Sequence, residues 1–113
     1  MEMPAAAAAL SALGHEPRLK VFRVLVRAGP AGMAAGDIAR TTGVVQNTLS
    51  SYLSSLSHAG LVASRRTGRS IIYSADYVRI GALLTFLVED CCQGDPTACA
   101  SAFARISQLT GCC

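Results

Sequence analysis

Apolar positions recur along the chain at two periods, and the switches between them divide it into elements. Around residues 46–59, Leu49, Leu53 and Leu56 fall at i, i+4 and i+7, one face of a helix. The intervening positions Gln46, Asn47, Thr48, Ser50, Ser51, Ser54, Ser55 and His58 are small or polar, poor for a core and good for close approach to base edges. A shorter helix is predicted over residues 35–42, with Gly43 as the turn between the two, which is the helix-turn-helix pattern. Upstream, the Ala-rich run 5–13 has high helix propensity and ends at Gly14. A second helix is predicted from about Pro17 to residue 28, with Leu19, Phe22 and Val26 as its buried stripe and Gly29-Pro30 as its stop.

After residue 60 the period drops to two. Residues 61–65 and 70–74 are short β-prone runs with Thr67-Gly68 between them as the turn, and Arg65, Arg66 and Arg69 cluster at the tip. A basic hairpin directly after a helix-turn-helix is a wing. The helical period returns at Val78, with Ile80, Leu83, Leu84, Leu87 and Val88 on one face and an expected end near Cys92. Gly94 breaks it; Asp95 and Pro96 suit the start of a last helix with Phe103, Ile106 and Leu109 on its apolar side. The expectation is one domain over 1–113, mainly α with a small β-hairpin: a winged helix-turn-helix. The helix-turn-helix spans about 35–59 and the wing about 61–74. Dimerisation helices are expected at about 5–13 and 78–92, followed by a cysteine-bearing segment, 91–113.

Composition and charge refine this picture. Hydrophobic residues make up 51% of the 113, more apolar surface than a monomer of this size needs, which points to self-association. The net charge of +3 is unevenly placed: residues 1–80 carry nine Lys/Arg and four Asp/Glu, whereas residues 81–113 carry Arg105 against Glu89, Asp90 and Asp95. A basic body suggests a polyanion partner. No stretch approaches the roughly 20 apolar residues of a membrane span. The N-terminal run has Glu2 where a signal peptide would be cationic, so a cytoplasmic location without a membrane partner is expected.

Double-stranded DNA is the partner these features fit. Gln46, Asn47, Thr48, Ser50, Ser51 and Ser54 are the base-reading candidates, since Asn and Gln bond adenine bidentately and Ser or Thr serve several bases. Arg65, Arg66 and Arg69 would hold phosphates, with Arg18, Lys20 and Arg40 as weaker candidates. The competing readings are a solvated Ser-rich face and a non-DNA interaction module. No phosphate loop, paired carboxylates or Cys/His/acid order suggests an enzyme, and no organic cofactor is expected.

These residues resemble the ArsR-type family of small metalloid- and metal-responsive repressors. The matching stretches are LGHEPRLKVFRVL (13–25), GDIARTTGVVQNTLSSYLSSLSHAGLV (36–62) and RRTGRSIIYS (65–74). The resemblance implies a symmetric homodimer, built on the first and the long C-terminal helix, bound to an inverted-repeat operator and released by a ligand. Two departures are visible. The Cys-x-Cys that many members carry on the first helix of the helix-turn-helix is absent from AAGDIARTTG, and Tyr52 stands where His is frequent.

All five cysteines, Cys91, Cys92, Cys99, Cys112 and Cys113, lie in the last 23 residues. A structural zinc site commonly draws four ligands from Cys-x-x-Cys pairs and His, a pattern missing here. An adjacent pair with a third thiol suits a three-coordinate, sulfur-loving centre. Trivalent arsenic (arsenite) fits Cys91, Cys92 and Cys99, with antimonite close behind, and the resemblance points the same way. Cys112 and Cys113 are auxiliary thiols or a passive tail. A thiol redox switch, a divalent-metal response and inert cysteines stay open as alternatives. His15 and His58 read as capping or surface residues.

Overall fold

The element boundaries follow from local capping chemistry in the computed structural model, which describes residues 1–89 and Thr97. Helix α1 (Met3–Leu13) opens with Pro4 in its first turn, where a missing N–H costs nothing, and ends at Gly14. Helix α2 (Glu16–Ala28) is capped by His15, whose ring Nδ1 accepts the Arg18 N–H at 3.3 Å. A two-residue strand β1 (Met33–Ala34) precedes α3 (Ala35–Thr42) and α4 (Gln46–His58). Strands β2 (Val62–Thr67) and β3 (Ser70–Ala75) form the hairpin, and α5 (Tyr77–Val88) begins at an Asp76 cap that accepts the Arg79 N–H at 3.0 Å. The three strands form one antiparallel sheet in the order β1-β3-β2. The fold is the expected one, mainly helical with a winged helix-turn-helix at its centre.

Leu25 of α2, Ile38 of α3, Leu49 and Leu56 of α4, and Leu61 before β2 are fully buried together. Burying each such side chain contributes roughly 1.5–3 kcal/mol, so this cluster holds α4 onto the body. The small side chains of Ala6, Ala9 and Ala12 let α1 approach the same core closely. Among the described residues no helix is long and apolar enough to cross a membrane.

Four expectations need correction. The inner face of α2 is Val21, Phe22 and Leu25, while Leu19 and Val26 are 39% and 37% exposed. Arg18 hides the true stripe: it is half-buried on the same side, because its guanidinium donates to the α1 carbonyls of Ala12 (Nε, 2.8 Å) and Ser11 (Nη2, 3.4 Å). In the hairpin, Thr67 pairs with Ser70, so the turn falls on Gly68 and Arg69, one residue later than expected. Strand β1 has no signal in the sequence; two residues are too few to show alternation, and the strand exists through pairing of Met33 with Tyr73 and Ala34 with Ile72. Finally, α5 stops at Val88, since Glu89 adopts extended backbone (φ −61°, ψ 141°), short of the expected end near Cys92.

Candidate DNA-reading surface

The α3–α4 junction is built to present one face of α4 outward. Gly43 adopts the left-handed conformation (φ 76°) that closes α3, and its N–H donates to Ala39 O at 2.8 Å. Buried Thr42 donates its hydroxyl to Ile38 O at 2.8 Å and accepts the Val44 N–H at 3.3 Å, which ties the turn back to α3. Val45 offers α4 no side-chain cap, so the helix keeps its first N–H groups without a side-chain acceptor.

Because Leu49, Leu53 and Leu56 point inward, the complementary arc of α4 is solvent-facing. Gln46, Asn47, Ser50, Ser51 and Ser54 are all exposed and share that arc. Thr48 does not join them: it is half-buried on the flank, as is Tyr52, whose ring packs at 5.3 Å and 60° to that of His15. The arrangement offers amide and hydroxyl groups on one rigid rod, the chemistry that pairs with base edges in a major groove.

The wing arginines are not equivalent. Neighbouring residues of a strand face opposite sides, so Arg65 (opposite Ile72) and Arg66 (opposite Ile71) diverge. Arg65 donates to Ala31 O at 2.7 Å and so ties the hairpin to the loop before β1. Among the described residues, the side chains of Arg66 and Arg69 make no hydrogen bond or ion pair, and both are exposed. The weaker phosphate candidates are already employed: Arg18 at the end of α1, Lys20 donating to Thr42 O at 3.2 Å, and Arg40 paired with Asp37. Sequence patterning does not reveal the roles of Arg18, Lys20 and Arg65, because each depends on which backbone carbonyl the fold brings into reach, whereas Arg40 and Asp37 form a local i, i+3 pair on α3.

Lys20, Arg23 and Arg27 line an open groove of about 700 Å³ between α2 and α3 that contains none of the reading residues. Among the described residues no His, Cys, Asp and Glu cluster could hold a metal ion. The expected thiol site, Cys91, Cys92 and Cys99 with Cys112 and Cys113, lies outside the described residues, as does the helix expected after Gly94 apart from Thr97. Two apolar faces remain open. On α1, Leu10 is exposed; on α5, Val78, Leu84 and Leu87 are exposed while Leu83 alone is buried.

Known proteins share this architecture. The helix-turn-helix domain family matches residues 13–65. The HTH-type transcriptional regulator YgaV of Escherichia coli (strain K12) is 33% identical over 82 residues, covering 73% of this chain and 81% of that protein. The homodimeric winged helix-turn-helix DNA-binding domain of Mb0332 from Mycobacterium bovis, described as a possible ArsR-family transcriptional regulator, is 30% identical. It superposes with a TM-score of 0.61 over 77% of this chain and 81% of that one. The ArsR-like transcriptional regulator from Rhodococcus sp. RHA1 gives a TM-score of 0.69 over 95% of this chain and 93% of that one at 24% identity, a likeness of fold.

Proposed function

This chain belongs to the ArsR-type family of winged helix-turn-helix transcriptional regulators, and from that premise we propose that it is a cytoplasmic homodimeric repressor released from operator DNA by trivalent arsenic. The observation that carries the DNA half is the polar arc of α4: Gln46, Asn47, Ser50, Ser51 and Ser54 stand together on the side opposite the buried leucines. Arg66 and Arg69 supply phosphate contacts that fix register and carry no sequence information. The exposed leucines of α1 and α5 support pairing of two copies, which would present two recognition helices to successive turns of the duplex.

The inducer half rests on donor chemistry. Cys91, Cys92 and Cys99 offer three soft thiolates, the set a pyramidal trivalent arsenic or antimony ion takes, whereas divalent zinc favours four ligands. Moving a regulator from mostly bound to mostly released requires roughly 10⁴-fold preference of the ligand for the released state, a difference better supplied by three thiolates than by one.

Fluorescence anisotropy of the protein on its own upstream DNA, titrated with arsenite, antimonite, zinc, cadmium and peroxide, tests the reading. Release by arsenite or antimonite alone, abolished in Cys99→Ser, is the expected result. Release by zinc, cadmium or peroxide alone would replace the metalloid with a divalent metal or a disulfide and leave the DNA-binding half intact.

A further inference from the structure

The chain leaves the recognition helix through Gly60, and the side chain of Arg79 sits on that glycine. Gly60 has φ +78°, and a Cβ built on it would meet Arg79 at 2.7 Å from Nε and 3.0 Å from both Cζ and Nη2. Three atoms of one planar group at nearly equal range mean that the guanidinium lies across the glycine, in space that only a missing side chain provides.

Around this contact the last turn of α4 and the first turn of α5 form one bonded unit. Leu61 N–H donates to Leu56 O at 3.0 Å, and Gly60 N–H to Ser57 O at 3.0 Å. Asp76 N–H donates to Leu61 O at 2.9 Å, and the Asp76 carboxylate accepts the Arg79 N–H. Within this unit the Arg79 Nε is buried and, among the described residues, has no hydrogen-bond partner. An unmatched buried donor subtracts from stability, and a lysine or methionine stem would cover the same apolar ground without it. The guanidinium plane therefore contributes shape at this point.

We propose that Arg79 is a positioning residue for the recognition helix: its guanidinium, seated on Gly60, sets the angle at which α4 projects toward DNA. This rests on the base-reading role of α4 proposed above. The 13-residue helix is about 20 Å long, so a tilt of about 5° at Gly60 moves Gln46 by nearly 2 Å, more than a base-edge hydrogen bond tolerates. The wing arginines, long and flexible, keep their phosphates through such a tilt. Loss of Arg79 thus separates specific from non-specific binding, which a general loss of stability does not.

The test compares Arg79→Lys, which keeps the charge, Arg79→Met, which keeps the apolar stem, and Gly60→Ala, which displaces the guanidinium. For each, affinity is measured for the upstream DNA and for a scrambled duplex across a salt series, with the melting temperature alongside. About tenfold loss of preference for the upstream DNA is expected in all three, with scrambled-duplex affinity and salt slope as in wild type. A wild-type preference in Arg79→Lys together with a weakened Arg79→Met would assign Arg79 a charge role and overturn the proposal, as would wild-type preference in all three. Amide hydrogen exchange of the free protein is read in parallel and needs no DNA. Faster exchange at residues 57–61 in Arg79→Lys and Arg79→Met is expected, and unchanged exchange overturns the positioning role even if wild type shows no preference for its upstream DNA, a result that bears on the reading of α4 itself.

Discussion

Arg65 holds the carbonyl oxygen of Ala31 at 2.7 Å across 34 residues of sequence, so one of the three wing arginines serves the protein's own backbone while its neighbour Arg66 is left to solvent. The two should differ in DNA binding. Arg66→Ala and Arg69→Ala are each expected to lower the slope of log affinity against log salt by about 0.9, the counterions released by one phosphate contact. Arg65→Ala should leave that slope near wild type and speed amide exchange in β2 and β3. Equal slopes for all four proteins would remove the phosphate role from the wing.

Thr42 supports the turn that launches α4. Thr42→Val removes the acceptor for the Val44 N–H and the donor to Ile38 O, and is expected to cost roughly 1–2 kcal/mol in urea unfolding. Thr41→Val, at an exposed neighbouring position, should change stability little.

Two glycines with the same φ of 76° should respond differently to alanine. At Gly43 nothing lies within 4 Å of the new Cβ, so Gly43→Ala carries only the left-handed backbone cost of roughly 1 kcal/mol. At Gly32 the Cβ would collide with Tyr73 O, a backbone atom of β3 that cannot yield without unpairing β1. Gly32→Ala should cost about 3 kcal/mol or more, the sum of strain and overpacking. Thermal unfolding of the two variants checks the order.

The two faces of α4 should separate stability from recognition. Leu53→Ala, which empties a core position 2% exposed, is expected to cost 2–5 kcal/mol, a range set by how far the site collapses. Ser54→Ala, one residue along on the open arc, should leave unfolding within about 0.5 kcal/mol of wild type.

Where local chemistry decides structure, the sequence was sufficient. Helix α3, the Gly43 turn, the start of α4 and its leucine stripe stand where period and punctuation put them, and five of the six polar residues chosen on α4 share its exposed arc. What the pattern does not show shares one cause, dependence on distant chain. The inner face of α2 departs from its apparent stripe because Arg18 lies inward to hold α1 carbonyls, and β1 exists only through β3. The bond from Lys20 to Thr42 O likewise spans 22 residues and has no signal in the local pattern. Arg79 gave no sequence signal at all, since its partner is the absent side chain of Gly60.

The most direct test of the central claim, that the polar arc of α4 reads DNA sequence, is the ratio of affinities for the protein's upstream DNA and a scrambled duplex at fixed salt, for wild type and for Gln46→Ala with Asn47→Ala. The account predicts a wild-type preference of at least about 10³-fold. It predicts a loss of about 10-fold to 100-fold in the double variant, equivalent to one good base contact, with the melting temperature unchanged. Equal binding of both duplexes by wild type, or a double variant as discriminating as wild type, would contradict it.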